Sequence, residues 1–284
     1  MKKSFQRQAM VSEADELPKE EKISFICGLL LQVPPGEFRN VFEDLRILIG
    51  DDHLMRQEAA QVSAHHTRNN FTPVSIRGED SLVTRHNDLG GNRFFDPQIK
   101  LSFRFDHLSG RADKILIYHD FKRDTAELWR ETLNVTLESY VKKHLLSGIC
   151  RVYQKTLRGT PFFVICIEGH QYKKFWNAFW KSEWILPVTP PSTHVTGSIV
   201  VQIHYFKKSN LHFTATDGGS HSMYLINRAQ FAIDFEKFIE REHSKFQTGL
   251  VESLQDLSDE VWQTLRRQLP VTRTAIQWNK LLTY

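Results

Sequence analysis

The residues most open to a chemical reading sit at the end of the chain. Residues 261–284 carry Arg266, Arg267, Arg273 and Lys280 and no carboxylate side chain. The 284 residues hold 37 Lys and Arg against 33 Asp and Glu, so setting these four aside leaves 33 against 33, and the formal charge of +4 belongs to this segment. The stretch before it, 228–260, holds four basic and eight acidic residues. Pro270 interrupts any continuous helix through the segment. Beyond it, Val271, Thr274, Ala275, Trp278, Leu281 and Leu282 share one arc of a helical wheel. Arg273, Gln277 and Lys280 lie opposite, with Ile276 beside them as an apolar anchor. Complementing a helix dipole, worth about 0.3–1 kcal/mol, accounts for Arg266 and Arg267 but not for the acid-free amphipathic stretch that follows. The segment is built to meet an anion: an acidic protein, an anionic lipid surface or a nucleic acid, among which spacing does not choose.

Other residues with chemical potential read as structural. Glu168 and Glu183 lie near Trp176, Trp180 and Trp184. Paired acids among aromatics are what a glycoside hydrolase uses, but here they read as exposed acids between aromatic strand faces. Adjacent His65 and His66 point about 100° apart on a helix and do not chelate one ion. The run Asp88-Leu89-Gly90-Gly91-Asn92 matches neither phosphate-binding glycine pattern, and no nucleophile elbow is present. Neither an enzyme nor a cofactor is expected. Cys27, Cys150 and Cys166 are odd in number and widely spaced, which suits buried free thiols in a reducing compartment. Asn134-Val135-Thr136 matches a glycosylation acceptor and is read as coincidental. Residues 1–10 lack the apolar stretch of a secretory signal, and no apolar run approaches the roughly 20 residues needed to span a bilayer. A cytoplasmic protein is expected, with residues 1–16 disordered and Met10 as a second candidate start.

These groups need a scaffold, and the periodicity supplies one. Apolar spacing predicts helices over 19–31, 37–49 and about 52–68, broken by Pro34-Pro35 and Gly50, an antiparallel three-helix stalk over 17–70. Short strands follow in a small β region over 71–122, clearest at 100–106, with 107–123 read as a surface loop. A helix over 125–146 precedes five strand-like runs, 149–157, 161–168, 175–187, 195–206 and 211–216, with 221–226 as a short sixth. Their short connections require antiparallel neighbours. Asn227 opens a long helix towards Glu260, completing a unit over 123–260, and 261–284 is the tail. The fold class is α+β: a helix bundle, a small β region, a five-stranded antiparallel sheet crossed by a long helix, and a basic C-terminal segment. One helix under-covers such a sheet, so a partner chain is expected to extend it.

The run Leu265-Arg266-Arg267-Gln268-Leu269-Pro270-Val271-Thr272-Arg273-Thr274, with Ile276 and Trp278-Asn279-Lys280, resembles the C-terminal signature of the F-actin capping protein alpha subunit family. Further motifs are similar in the same order: Pro34-Pro35-Gly36-Glu37-Phe38 with Val41-Phe42, Asp88-Leu89-Gly90, Arg93-Phe94, Lys100-Leu101-Ser102-Phe103, Trp176-Asn177, Lys181-Ser182-Glu183-Trp184 and Ile203-His204-Tyr205-Phe206. The resemblance covers about residues 20–284. It implies a heterodimer with a capping protein beta subunit, the two chains sharing one sheet. It also implies calcium-independent capping of the F-actin barbed end and entry into dynactin. Phosphoinositides and ankyrin-repeat or capping-protein-interaction-motif proteins act as regulators in the family, and no nucleic acid partner is implied. Carried over by position, the actin-contacting cations are Arg267 and Arg273; Arg266, Ile276 and Lys280 of the same segment complete the expected actin-binding set. The alternative is a module that binds acidic phospholipid through the same tail. Gln263 and Ala275 stand where the family commonly has Lys, and Lys207-Lys208-Ser209-Asn210 replaces its usual Glu-Asp-Gly-Asn. The chain also stops several residues short of the usual alpha terminus. Losing one interfacial cation costs about 1 kcal/mol, several-fold in affinity.

Overall fold

Three helices open the chain in the computed structural model, which describes residues 18–118, 124–145, 147–174, 176–205 and 211–267. They are α1 (Lys19–Leu31), α2 (Phe38–Ile49) and α3 (Asp52–Asn69). Gly50, at φ +71, ends α2, and Asp51 caps α3 by accepting from the Leu54 N–H at 2.9 Å. The apolar residues at helical spacing meet in one cluster of Ile26, Leu30, Val33, Phe42, Leu45, Met55 and Ala59.

The small β region holds more structure than periodicity shows. A hairpin pairs β1 (Thr72–Ile76) with β2 (Glu79–Val83). A four-stranded sheet then runs in order β3 (Asp88–Gly90), β4 (Arg93–Asp96), β5 (Leu101–Asp106) and β6 (Arg111–Ile117). Residues 107–123 are therefore not simply a loop. Strand β6 hides from pattern reading because only Ala112 and Ile115 are half-buried in it, and its register with β5 shifts between Ser102 and Arg104. The core here is Phe94, Phe103 and Phe105 with Val74, Ile76 and Val83.

Helix α4 (Thr125–His144), capped by Asp124, packs along the five-stranded sheet. That sheet is an antiparallel meander of β7 (Ile149–Leu157), β8 (Thr160–Lys173), β9 (Trp176–Pro187), β10 (Ser192–Tyr205) and β11 (Leu211–Tyr224). Strand β11 is unbroken over fourteen residues, so 221–226 is not a separate strand. Its Gly218-Gly219 pair disguises the continuity, since glycines weaken a strand pattern. The cross-strand register gives the sheet two unlike faces. One carries Val152, Ile165, Ile167, Trp180, Trp184, Ile199 and Val201; the other carries Glu168, His170, Lys181 and Glu183. Gly197 is obligatory on the first face, because a Cβ there would collide with the Trp184 ring and the Glu183 carbonyl.

Helix α5 (Arg228–Arg267) is a single element of 40 residues, about 60 Å long at 1.5 Å per residue. Asn227 caps it, accepting from the Ala229 N–H at 2.9 Å, and Phe231 packs 5.8 Å from Trp129 of α4. The helix runs past Glu260, where its expected end lay. The chain divides into two compact units inside it, after Glu236.

Candidate functional site

The ordered motifs turn out to be joints. Gly36, at φ +87, lets the chain turn where the Tyr172 ring approaches to within 2.6 Å of a would-be Cβ. The next residue, Glu37, accepts from Asn177 Nδ2 at 2.7 Å and meets His204 Nδ1 at 2.6 Å. The motifs at 34–38, 176–177 and 203–205 thereby meet at one carboxylate, which ties the α1–α2 turn to strands β9 and β10. Nearby, His66 Nε2 lies 2.9 Å from the Val33 carbonyl, and Ser63 Oγ donates to the His107 carbonyl at 2.7 Å. A cavity of about 210 Å³ opens at this joint between Phe38, His66, His107, Tyr172 and Phe179. Burial, helped by the Arg68 charge, lowers the His107 imidazole to about 4. The motifs at 88–90, 93–94 and 100–103 lie in the four-stranded sheet: Asp88 pairs with Arg68 of α3 at 2.8 Å, and Arg93 donates to Ser102 Oγ at 3.0 Å.

The two edges of the five-stranded sheet differ sharply. At β7 the Val152 N–H is taken by Asn134 Oδ1 at 3.0 Å, and its carbonyl accepts from Arg130 Nη1 at 3.2 Å. Arg130 is in turn held by both Glu127 oxygens, at 2.8 and 2.7 Å. Arg151, also on β7, donates to Asp96 at 2.7 Å and to the Asp80 carbonyl. Side chains of α4 and the small β region thus close that edge. Asn134 is fully buried, so its acceptor triplet has no glycosylation role in this fold. Strand β11 is the opposite case: it pairs with β10 on one side, and among the described residues no strand pairs on the other.

The acid pair deserves a chemical test. Glu168 and Glu183 are not exposed: Glu168 is fully buried and Glu183 is partly buried. Burial raises the Glu168 carboxyl although His170 lies 2.9 Å away. Burial would raise Glu183 too, but hydrogen bonds from His86 and Arg85 outweigh it and leave it at about 2. Unequal carboxyls suit acid–base chemistry, yet Trp180 and Trp184 occupy the other sheet face. The cavities of about 210 and 540 Å³ are lined by neither acid. The pair is a structural ion-pair site rather than a sugar cleft. Pattern reading mistook it because strand alternation hides what covers each face. Among the described residues no group of three or more His, Cys, Asp or Glu could hold a metal ion. Cys150 and Cys166 are buried and free, and Cys27 is free and half-buried.

The model of the F-actin capping protein alpha subunit family matches residues 26–284. The chain belongs to that family. It is 41% identical over 270 residues to F-actin-capping protein subunit alpha-3 of Mus musculus, covering 94% of this chain and 90% of that protein. Identity to the F-actin-capping protein subunit alpha of Caenorhabditis elegans is 32%, covering 95% and 97%. The fold is that of the solved homodimeric actin capping protein alpha subunit from Plasmodium berghei, with a TM-score of 0.75 at 19% identity, covering 89% of this chain and 98% of that one. As a capping protein alpha chain it falls among actin-binding proteins of the cytoskeleton, a family named for capping and not for a reaction. No helix among the described residues is long and apolar enough to cross a membrane.

The capping signature begins on α5. Arg266 and Arg267 form its last two residues. Their side chains, together with Arg273, Ile276, Lys280 and the wheel predicted beyond Pro270, lie outside the described residues, as does the stretch 1–16. The residues whose place at this joint composition missed are Glu37, Asn177 and His204. Their only signal was membership of the ordered motifs.

Proposed function

We propose that this chain is the alpha subunit of a heterodimer that binds actin filament barbed ends and blocks subunit exchange without calcium. The observation that carries the reading is the family match, which runs to Tyr284 and so includes the cationic tail on an otherwise balanced chain. Arg266, Arg267, Arg273 and Lys280 supply the first electrostatic contact with acidic actin surface, and Ile276 an apolar one. A beta subunit continues the sheet at β11, the edge left open by this chain. Dynactin, phosphoinositides and motif-bearing regulators compete for or assemble around the same cationic surface.

The test is barbed-end elongation from seeds with the chain co-expressed with a beta subunit. Replacing Arg267→Ala and Arg273→Ala together should leave the heterodimer intact, slow capping about tenfold or more, and flatten its salt dependence. Unchanged capping by the double variant would refute the assigned role. Liposome co-sedimentation that persists with saturating capped ends would instead favour an acidic-phospholipid module.

A further inference from the structure

The cavity at the Glu37 joint holds hydrogen-bonding groups that nothing among the described residues satisfies. His107 is 8% exposed, yet neither of its ring nitrogens has a hydrogen-bond partner there. Unpaired buried polar atoms are costly, and native folds keep few of them. His66, equally buried, gives its Nε2–H to the Val33 carbonyl, which can only accept, so its Nδ1 is left as an acceptor. Burial lowers both imidazoles, and both rings are neutral at pH 7. The walls are the rings of Phe38, Phe105, Tyr172 and Phe179, and no carboxylate lines the space. Its rim is fixed: Asp106 Oδ1 accepts from the Leu108 N–H at 3.1 Å, and the Gly110 N–H donates to the Asp106 carbonyl at 2.8 Å.

We propose that this cavity binds a small, uncharged, planar heteroaromatic molecule, its ring held between the aromatic walls and a ring nitrogen hydrogen-bonded to His107. Size sets the first limit. An apolar cavity of about 150 Å³ takes benzene, so one of about 210 Å³ admits a fused bicycle but falls short of a drug-sized ligand. Flat walls favour a flat partner with a π-face. Charge sets the second limit. A cation meets no carboxylate inside, and an anion must leave water for a space lined by rings, with its nearest cation, Arg39, exposed at the mouth. A neutral imidazole presents a donor or an acceptor by changing tautomer, so the matching group is an azole, with an N–H and a lone pair on one flat ring. The bound ring bridges the α1–α2 turn, the β5–β6 turn and strands β8 and β9, and stabilises the joint that Glu37 also ties. The inference uses neither the cationic tail nor the actin reading.

The probe is benzimidazole, with indene as the hydrocarbon of the same shape that lacks both nitrogens, titrated against the full chain co-expressed with a beta subunit. Benzimidazole should raise the thermal midpoint and shift the His107 ring signals in histidine-labelled NMR spectra. It should bind about fivefold more tightly than indene, the difference one hydrogen bond makes. His107→Phe keeps a ring but removes the nitrogens, and should erase that preference. Arg39→Trp, at an exposed position on the rim, should block both probes while leaving His107 in place. Should His107→Phe fail to fold, the comparison of the two probes on the wild type decides alone. Equal affinity for benzimidazole and indene, a preference that survives His107→Phe, or no His107 shift at millimolar benzimidazole would each overturn the proposal, the last leaving only water as the partner of the ring. Capping activity is not a readout here, so the two readings fail separately.

Discussion

Glu37 shows how one side chain converts a sequence motif into a joint. Its carboxylate joins a helix turn to two strands more than a hundred residues away, through Asn177 and His204. Glu37→Ala removes both contacts and leaves the buried Asn177 amide short of a partner. It should destabilise the assembly by about 2–3 kcal/mol, read as a lower denaturation midpoint, while Glu37→Gln should lose less. His107 makes the opposite kind of statement. Its imidazole is pushed from 6.5 to about 4, so the unfolded chain binds its proton first as pH falls. Stability contributed by the neutral ring is complete above 6.5 and declines as pH drops towards 4, by about 3 kcal/mol in total. His107→Phe, which keeps a ring against Phe94 and Phe105, should flatten that part of the stability–pH curve. Neither role is visible locally. A glutamate after Pro-Pro-Gly and a histidine after a strand look like surface residues until the fold brings their neighbours in.

At the scale of elements, the five-stranded sheet is defined by what each strand faces. Gly197 and Gly218 lie on neighbouring strands, yet they should respond differently to Ala. At Gly197 the methyl meets the Trp184 ring and the Glu183 backbone. The cost is about 1–3 kcal/mol of overpacking, measurable by urea denaturation. At Gly218 the same methyl makes ordinary contact, and stability should be unchanged within about 0.5 kcal/mol. The edges follow the same logic. Asn134→Leu fills a similar volume but withdraws the acceptor from the Val152 N–H and should destabilise by about 1–3 kcal/mol, whereas exposed Thr216 on β11 should tolerate a polar replacement in the protomer. Helices 19–31, 37–49 and 125–146 were legible in sequence to within a residue or two, because each buries one stripe. Strand β6 was not, because it lies at a sheet edge with charges on both faces and a register shift that breaks alternation.

For the whole molecule, charge and topology point in complementary directions. A balanced body with a cationic end predicts an association rate that falls with ionic strength, and capping assays across salt concentrations should show it. One closed and one open sheet edge predict a dimer joined at β11 rather than at β7. The sequence by itself determined the fold class, the helices, the five-stranded meander, the location of the net charge and the family. Each follows from local periodicity, from composition or from ordered motifs read along the chain. It did not decide which sheet edge is open, that buried Glu168 and partly buried Glu183 are ion-pair members rather than exposed acids, or that separate motifs meet at Glu37. Those depend on which residues distant in sequence become neighbours in space. Burial and hydrogen bonding are properties of that neighbourhood, and they take their values only once the chain has folded.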